Sequence, residues 1–369
     1  MRHDDPDRTK VAINDPLVGQ VVDRRYRVEF RLAAGGFGAI YRAVHVINGR
    51  AVALKILHEN LASEPDVVAR FRREASALAQ LRSPHTVTAY DFGETAEGML
   101  YIAMELLQGE SLYERYSALG PIPWRRMLVI ARKVCSSLSE AHALGIIHRD
   151  LKPTNIHLEQ RGTDLDYVKV LDFGIAKILH GSTLDNQDLT RTGQMVGTFD
   201  YMAPEQMVGG QTSGQSDIYT LGIVIYEMIT GERPFGNPST PAAMLTAMLS
   251  ITPPPLSNYV DVPDDLDSLV ARCLERDVDA RFADVIELGD EIERLLVDEE
   301  ATKTTVSAAP PHPRAETPLE PEDSFTWVDT APPPPPRVPA NPVTTLPGVM
   351  PPSPGTPWPL DDPKKRSKR

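Results

Sequence analysis

Cysteine is scarce in this sequence: its 369 residues include only Cys135 and Cys273. Both lie in apolar stretches with helical spacing, so we expect two core residues rather than a disulfide, and a reducing cytoplasmic setting. Long apolar runs are also missing, and no stretch reaches the roughly 18 residues that a membrane helix needs. The N-terminal stretch MRHDDPDRTK has no apolar segment of the secretory-signal type. These absences predict a soluble protein with no integral membrane segment.

Positive charge is in deficit as well. Lysine and arginine total 38 against 51 aspartates and glutamates, which gives a formal net charge of −13. A general nucleic-acid binder would usually be basic, so we expect no nucleic-acid partner. The length is enough for a sizeable core and about two domains.

Polar chemistry is concentrated in one short stretch, HRDLKPTN, at residues 148–155. It places an acid, a base and an amide close together as Asp150, Lys152 and Asn155, and a short apolar stretch then leads to Asp172. Aspartate and asparagine oxygens are hard ligands of the kind that Mg²⁺ prefers beside substrate phosphates. A nearby lysine can neutralise phosphate charge. This combination suggests phosphoryl transfer, in which a protein mostly positions groups and stabilises charge.

The same stretch, followed by Asp172-Phe173-Gly174, resembles the catalytic and metal-binding loops of the eukaryotic protein-kinase superfamily. Chance loops with solvated charges are the alternative, and the occurrence of both motifs in order weighs against it. The resemblance implies an α+β, two-lobed protein-kinase fold with a small antiparallel β-sheet lobe plus one helix and a larger, mainly helical lobe. It implies that Asp150 is the catalytic base, that Lys152 lies near the transferred phosphoryl group, and that Asn155 and Asp172 hold Mg²⁺, with Mn²⁺ as an alternative ion.

Alternating apolar residues predict a strand from Tyr26, a second over Ala39–Val46 and a third over Ala51–Leu57, and two more strands are predicted over Thr86–Phe92 and Met99–Met104. A glycine-rich turn, AAGGFG, joins the first two. Because a strand and not a helix follows the glycines, Rossmann and Walker phosphate loops are excluded. Glycine allows the backbone to approach phosphates closely. The kinase pattern is G-x-G-x-x-G, and Ala33 replaces its first glycine.

The stretch Val52-Ala53-Leu54-Lys55 resembles the kinase strand whose lysine contacts the α- and β-phosphates of ATP. The resemblance also implies a Glu74–Lys55 ion pair, for which an ordinary helix-surface charge is the alternative. It places the adenine-binding hinge at Glu105–Gly109, with Met104 beside a back pocket. The full set of implied ATP-binding residues is Leu32, Ala33, Ala34, Gly35, Gly36, Phe37, Gly38, Ala39, Ile40, Ala53, Lys55, Glu74, Met104, Glu105 and Leu107.

Helices are predicted from apolar spacing in the second half of the chain, over residues 123–144, 217–230, 241–249, 264–275 and 283–297. By resemblance, His148 braces the catalytic loop and Asp217 binds the backbone of that loop. Glu205 forms a buried ion pair with Arg281. His157 packs beneath the adenine ring, where the family usually has an apolar residue.

The activation segment is expected to run from Asp172 to about Glu205. Its layout resembles that of bacterial Hanks-type serine/threonine kinases, and we hypothesise autophosphorylation at Thr190 and Thr192, with Arg149 meeting the phosphate. Solvated loop threonines are the alternative. By resemblance, Thr198 bridges Asp150 and Lys152 and completes the catalytic set.

The chain divides by composition into three parts. We expect a disordered lead over 1–18, a kinase domain over 19–297 (N-lobe 19–107, C-lobe 108–297), and a disordered proline-rich tail over 298–369. Nineteen of the 34 prolines follow Ala309. The tail is either a docking segment for proline-recognition modules, a substrate of the kinase, or a solvated spacer.

The leading interpretation is an ATP- and Mg²⁺-dependent serine/threonine kinase that acts on protein substrates. The alternative is a catalytically weak scaffold of the same fold that acts through its tail. Because residues 55, 74, 150, 155 and 172 all keep the types that catalysis needs, the enzyme is favoured. A third class, small-molecule phosphotransfer, is disfavoured because the A-P-E element at 203–205 resembles a peptide platform.

Overall fold

The first part of the chain forms a six-stranded antiparallel sheet in the order β1-β2-β3-β4-β6-β5. A computed structural model describes residues 15–35, 38–57, 65–173 and 199–307. All of them belong to one unit that runs to Pro310. The strands are β1 Val21–Val22, β2 Tyr26–Gly35, β3 Gly38–His45, β4 Ala51–Leu57, β5 Ala89–Glu94 and β6 Leu100–Glu105.

The residues of the sheet alternate between its two faces. Tyr26 and Val28 on β2 are 3% and 1% exposed, whereas Arg27 between them is exposed. The opposite face is covered by helix α1, Pro65–Leu78, which buries Phe71 against the sheet residues Leu100 and Ile102. The two-residue repeat therefore puts charged and apolar residues of a strand on opposite faces, as the sequence predicts.

The larger part of the molecule is helical and carries a small second sheet. The sheet consists of β7 Glu110–Ser111, β8 Ile156–Arg161 and β9 Asp164–Val170. The helices are α2 Leu112–Leu119, α3 Trp124–Ala143, α4 Pro204–Met207, α5 Gly214–Thr230, α6 Pro241–Ser250, α7 Asp264–Cys273 and α8 Val285–Ser307. Helix α5 lies in the middle of the core: every residue from Ser216 to Ile229 is buried, so the helix is enclosed around its whole circumference.

The predicted fold class is confirmed, with differences at the boundaries. The strand expected from Thr86 begins only at Ala89. Thr86 pairs instead with Val170 as a parallel bridge, and the Val87 amide donates to the Val170 carbonyl at 3.0 Å. Residues 86 and 87 therefore pair with β9 of the second sheet, whereas the Thr88 carbonyl accepts the amide hydrogen of Glu105 on β6 at 3.0 Å. The last helix continues past the predicted end at 297 as far as Ser307.

The stretch just before β1 is ordered in its last part, although a structureless lead was expected up to residue 18. The Asp15 side chain is 4% exposed and accepts hydrogen bonds from Arg31 and Tyr41, both at 3.1 Å. Because these hydrogen bonds satisfy the buried carboxylate, Asp15 fixes the position at which the chain enters the sheet.

Both cysteines are buried and free, in agreement with the expected core role. In the part of the chain that the structure describes, helices are too short or too polar to cross a membrane.

Candidate active site

The catalytic-loop stretch starts just after α3 and is anchored by a buried histidine. His148 is 0% exposed, and its Nε2 atom lies 2.8 Å from the carbonyl oxygen of Leu171. Its ring also packs on that of Phe173, with 4.7 Å between centroids. His148 therefore braces the loop against the Asp172–Phe173 turn, as the sequence predicts.

Asp217, at the buried start of α5, holds the backbone of this loop. Its carboxylate accepts the amide hydrogens of His148 at 2.8 Å and Arg149 at 2.9 Å. The Nε2 atom of His142 is a third partner at 2.8 Å. A carboxylate that is only 1% exposed needs such partners, because burial without them is costly. The first two contacts were predicted, and His142 was missed because a histidine within a helix gives no signal in one sequence.

Asp150, Lys152 and Asn155 converge through direct side-chain contacts. The Lys152 Nζ atom lies 2.8 Å from the Asp150 Oδ2 atom. The Asn155 side-chain amide donates to the Asp150 carbonyl at 2.7 Å and to its carboxylate at 3.2 Å. The Asn155 carbonyl in turn accepts the Leu171 amide at 2.9 Å, which ties the loop to the residue before Asp172.

Lys55 reaches the same place from the sheet. Its Nζ atom lies 2.7 Å from Asp172 Oδ1, and the lysine is 9% exposed. Burial by itself would raise the pKa of Asp172, but the charge and hydrogen bond of Lys55 outweigh that effect and keep the pKa below its usual value. Asp172 is therefore an ionised carboxylate at neutral pH. The side chain of Glu74, the other expected partner of Lys55, lies outside the described residues.

Two residues at this site have left-handed backbone conformations that are uncommon for side-chain-bearing residues. Arg149 has φ of 67° and Asp172 has φ of 60°. Such conformations cost about 1–3 kcal/mol each and are held in place by surrounding contacts. Here Asp217 holds Arg149, and Lys55 holds Asp172.

The oxygen atoms at this site suit a divalent cation. Asp172 offers an ionised carboxylate, and Asn155 commits its side-chain nitrogen to Asp150, which leaves its amide oxygen for another partner. Two such protein oxygens beside substrate phosphates fit Mg²⁺, which keeps several ligands from water and phosphate. Among the described residues, clusters of three or more His, Cys, Asp or Glu side chains able to hold a metal are absent.

The predicted nucleotide wall lies on the sheet beside Lys55. Ala53 on β4 pairs with Met104 on β6, and Lys55 pairs with Ile40 on β3. Met104 and Asp172 line one small cavity, which agrees with the expected back pocket.

The glycine turn joins β2 to β3 as predicted, with Gly35 opposite Gly38 and Ala34 opposite Ala39. Ala33 pairs with Ile40 directly after a register irregularity between Arg31 and Ala33, and Leu32 is 46% exposed. A Cβ atom on Gly38 would lie 2.1 Å from the Ile56 carbonyl oxygen, so this glycine is required for the approach of β3 to β4, whatever else it contacts.

The predicted Glu205–Arg281 pair is present and buried. The Arg281 Nη1 atom lies 2.9 Å from Glu205 Oε1, and Arg281 is 2% exposed. Several other expected site residues lie outside the described residues: Gly36, Phe37, Thr190, Thr192 and Thr198.

The hinge residues show contacts that the sequence did not predict. Lys169 on β9 is 3% exposed and contacts the side chain of Glu105. His157, expected beneath the adenine ring, instead has its Nε2 atom 3.1 Å from the Gln108 carbonyl oxygen. Lys169 was missed because an isolated charge in a strand normally faces solvent.

The family model described as "Protein kinase domain" matches residues 26–288. The chain belongs to the protein kinase family. This kinase is similar to a serine/threonine-protein kinase pkn3 of Myxococcus xanthus, with 40% identity over 71% of the chain and 48% of the relative. It is also similar to PknL of Mycobacterium tuberculosis, with 34% identity over 78% of the chain and 69% of the relative.

A solved structure of the Mycobacterium tuberculosis PknI kinase domain resembles this kinase with a TM-score of 0.59 and 26% identity. The similarity covers 76% of this chain and 99% of that one. The kinase spans about half the length of the first curated relatives, 48% of pkn3 and 40% of Pkn1 from the same organism. The kinase family uses ATP and a divalent metal ion, and the lysine, carboxylate and amide groups described above suit both.

Proposed function

We propose that this chain transfers the γ-phosphoryl group of ATP to serine and threonine hydroxyls of proteins. The observation that carries the proposal is a continuous path of contacts. Lys55 contacts Asp172, Leu171 donates to Asn155, and the Asn155 amide donates to Asp150. Residues from three separate parts of the chain thus meet at one place, with charges suited to a metal-bound triphosphate.

Each group has a role that follows from its chemistry. Asp150 accepts the proton of the attacking hydroxyl as the oxygen–phosphorus bond forms and the bond to the β-phosphate oxygen breaks. Lys152, beside Asp150, offsets charge on the transferred group. Lys55 contacts the α- and β-phosphates. Asn155 and Asp172 would hold the divalent ion, which neutralises charge on the phosphates.

Magnesium is the ion that we propose, with manganese as a substitute. One carboxylate and one amide oxygen leave the remaining positions to phosphate and water, which suits an ion that gives up water reluctantly. Activity measured with each chloride salt at equal free ATP distinguishes the two.

The main experiment compares transfer of labelled phosphate from ATP by three proteins: wild type, Asp150→Ala and Asp164→Ala. Asp164 is a matched control because its carboxylate lies 2.7 Å from Lys133, much as Asp150 contacts Lys152, but its partners, Lys133 and the Asp166 amide, do not belong to the Lys55–Asp172 site. We expect Asp150→Ala to lose at least about 100-fold in kcat, the usual contribution of a catalytic base. Asp164→Ala should stay within about twofold of wild type. Equal rates for wild type and Asp150→Ala would refute the proposal.

A regulatory role for the activation segment belongs to the same proposal. The Nε atom of Arg149 is buried and has no hydrogen-bond partner among the described residues. A buried unpaired guanidinium nitrogen favours an anion nearby, and a phosphate on Thr190 or Thr192 would supply one. Mass spectrometry after incubation with ATP should find phosphate on these threonines. A fully active protein with neither residue modified would contradict this part.

The scaffold alternative is disfavoured because a protein that only binds has no need of the Asp150–Lys152 and Lys55–Asp172 contacts. Docking of proline-recognition modules on the tail remains a proposal from composition. So does a cytoplasmic location, which is supported by two unpaired thiols in the core.

A further inference from the structure

The hinge segment Glu105–Gln108 is held at both ends by side chains from the β8–β9 hairpin. Its middle residues, Leu106 and Leu107, lie between these two points. We call the holding residues Lys169, Glu159, Arg161 and His157 the hinge clamp.

The first end of the clamp is a buried ion pair. The Lys169 Nζ atom lies 2.5 Å from Glu105 Oε1 and donates to the Thr86 carbonyl at 3.1 Å. Glu105 Oε1 also accepts the amide hydrogen of Thr88 at 2.8 Å. The side chain of Lys169 is 4% exposed and that of Glu105 is 15% exposed, so the pair is mostly removed from water. One lysine thus fixes the start of the hinge to β9 and to the loop before β5.

The second end is fixed by hydrogen bonds to Gln108. The Glu159 carboxylate accepts the Gln108 amide hydrogen at 2.7 Å, and the His157 Nε2 atom lies 3.1 Å from the Gln108 carbonyl oxygen. Arg161 joins the two ends, at 2.6 Å from Glu159 and 3.7 Å from Glu105. Both backbone groups of Gln108 therefore have side-chain partners from β8.

The charges of the clamp balance, with two carboxylates against a lysine and an arginine. If one member moved away, a buried charge would be left unpaired at a high cost in free energy. The members therefore hold each other in fixed positions. Backbone groups that are already fixed lose little conformational entropy when a ligand binds. The backbone left between the two ends is the part that the resemblance to protein kinases assigns to the adenine edge.

We propose that Lys169 and Glu159 are positioning residues for adenine recognition: they hold the hinge backbone in the geometry that binds ATP. This inference rests on the proposed function. The adenine lies far from the transferred phosphoryl group, so its hydrogen bonds contribute equally to the ground state and the transition state. Their loss should raise KM for ATP and leave kcat unchanged.

The experiment measures kcat and KM for ATP and for GTP in wild type, Lys169→Met, Lys169→Arg and Lys133→Met. Lys133 is the matched control, because it too forms a short contact with a carboxylate, that of Asp164 at 2.7 Å, but not with the hinge. We expect Lys169→Met to raise KM for ATP about tenfold with kcat within about twofold, since displacement of a binding group by a fraction of an ångström has effects of this order. KM for GTP should change little, so the preference for ATP over GTP should fall. Lys169→Arg should restore most of the affinity, and Lys133→Met should match wild type.

A second variant keeps the inference testable if Lys169→Met fails to fold. Lys169→Met combined with Glu105→Gln removes both charges and retains an acceptor for the Thr88 amide. The same rise in KM for ATP is expected, and Glu159→Met should produce it from the other end of the hinge.

Three results would overturn the inference. They are an unchanged KM for ATP in the folded variants, a matching loss of kcat, and equal changes in KM for ATP and GTP. Failure of the proposed function looks different, because wild type would then transfer no phosphate at all.

Discussion

At the scale of single residues, Glu205 and Arg281 show how a buried ion pair is made tolerable. Two guanidinium nitrogens of Arg281 contact the two carboxylate oxygens of Glu205, and Ser216 donates to Glu205 Oε1 at 2.6 Å. Arg281 also lies over the ring of Tyr219, 4.6 Å from its centroid. Burial by itself would raise the pKa of Glu205, but the hydrogen bonds from Arg281 and Ser216 more than offset this, and the pKa is lowered.

The lowered pKa of Glu205 predicts how its contribution to stability depends on pH. A depressed folded-state pKa contributes stability that is fully present above the unfolded value, near 4.5, and is lost as pH falls through the folded value. Glu205→Gln should cost about 3 kcal/mol at pH 7 because Arg281 is left without its charge partner. Below pH 4.5 the gap from wild type should shrink by about 1.4 kcal/mol per pH unit.

Urea denaturation at pH 7 and pH 4 measures this gap. Glu291→Gln is the control, since its partner Arg294 is an exposed neighbour on the same helix and the pair should contribute less than about 1 kcal/mol. A Glu205→Gln gap that is the same at both pH values would contradict the assignment.

The residues predicted from sequence at this scale were those inside recognisable motifs, such as Asp217 and the Glu205–Arg281 pair. His142, Lys169 and Glu159 were missed for a physical reason. A polar residue in a helix or strand usually faces water, and only the tertiary arrangement shows that Asp217 or the hinge covers it. Burial of this kind is a property of the packed elements and is not encoded in local sequence.

At the scale of elements, two glycines within helices have opposite surroundings. A Cβ atom on Gly222 of α5 would lie 2.7 Å from the Cβ atom of Cys273 on α7. A Cβ atom on Gly289 of α8 would lie no closer than 3.4 Å to any neighbour, which is ordinary contact. The absence of a side chain at Gly222 therefore allows α5 and α7 to pack closely, whereas no helix contact in the described part of the chain depends on the absence of a side chain at Gly289.

Alanine at these two positions should change stability in opposite directions. Alanine favours a helix over glycine by about 1 kcal/mol, so Gly289→Ala should gain about 0.5–1 kcal/mol. Gly222→Ala should lose about 1–2 kcal/mol, because overpacking between α5 and α7 exceeds the gain in helix propensity. Thermal melting of both variants beside wild type checks this, and stabilisation by Gly222→Ala would show that the helices can separate freely.

The limits of an element could be predicted from the sequence where a single pattern of apolar residues ran between clear turn residues. The strand Ala51–Leu57 has its predicted limits, because its apolar residues are bounded by turn residues. Residues 86 and 87 did not follow, since their backbone pairs with Val170, more than 80 residues away. A local pattern indicates an extended chain but does not identify the strand it pairs with.

At the scale of the whole molecule, the two thiols report on the global fold. Cys135 lies on α3 and Cys273 on α7, and both are almost completely buried. Burial raises the pKa of the Cys135 thiol to about 12 and raises that of Cys273 as well. Neither is a reactive thiolate in the folded protein.

We therefore expect both cysteines to react with a thiol reagent at pH 8 only at the rate of global unfolding. Addition of urea beyond the unfolding midpoint should make both react within the mixing time. The absorbance of the released chromophore, followed beside circular dichroism, measures the two processes together. Fast labelling of one cysteine in the native protein would indicate local opening of the helical lobe.

The chain between α1 and β5 has a mechanical consequence. The amides of Arg82 and Ser83 donate to the carboxylate of Glu140 on α3 at 2.7 and 2.6 Å, and the Thr86 hydroxyl lies 2.6 Å from that of Ser137. These residues lie within the small lobe in sequence but are bonded to the large one. We therefore expect these contacts to act as a fixed pivot. When the cleft opens, the sheet should rotate about them rather than move away as a separate body.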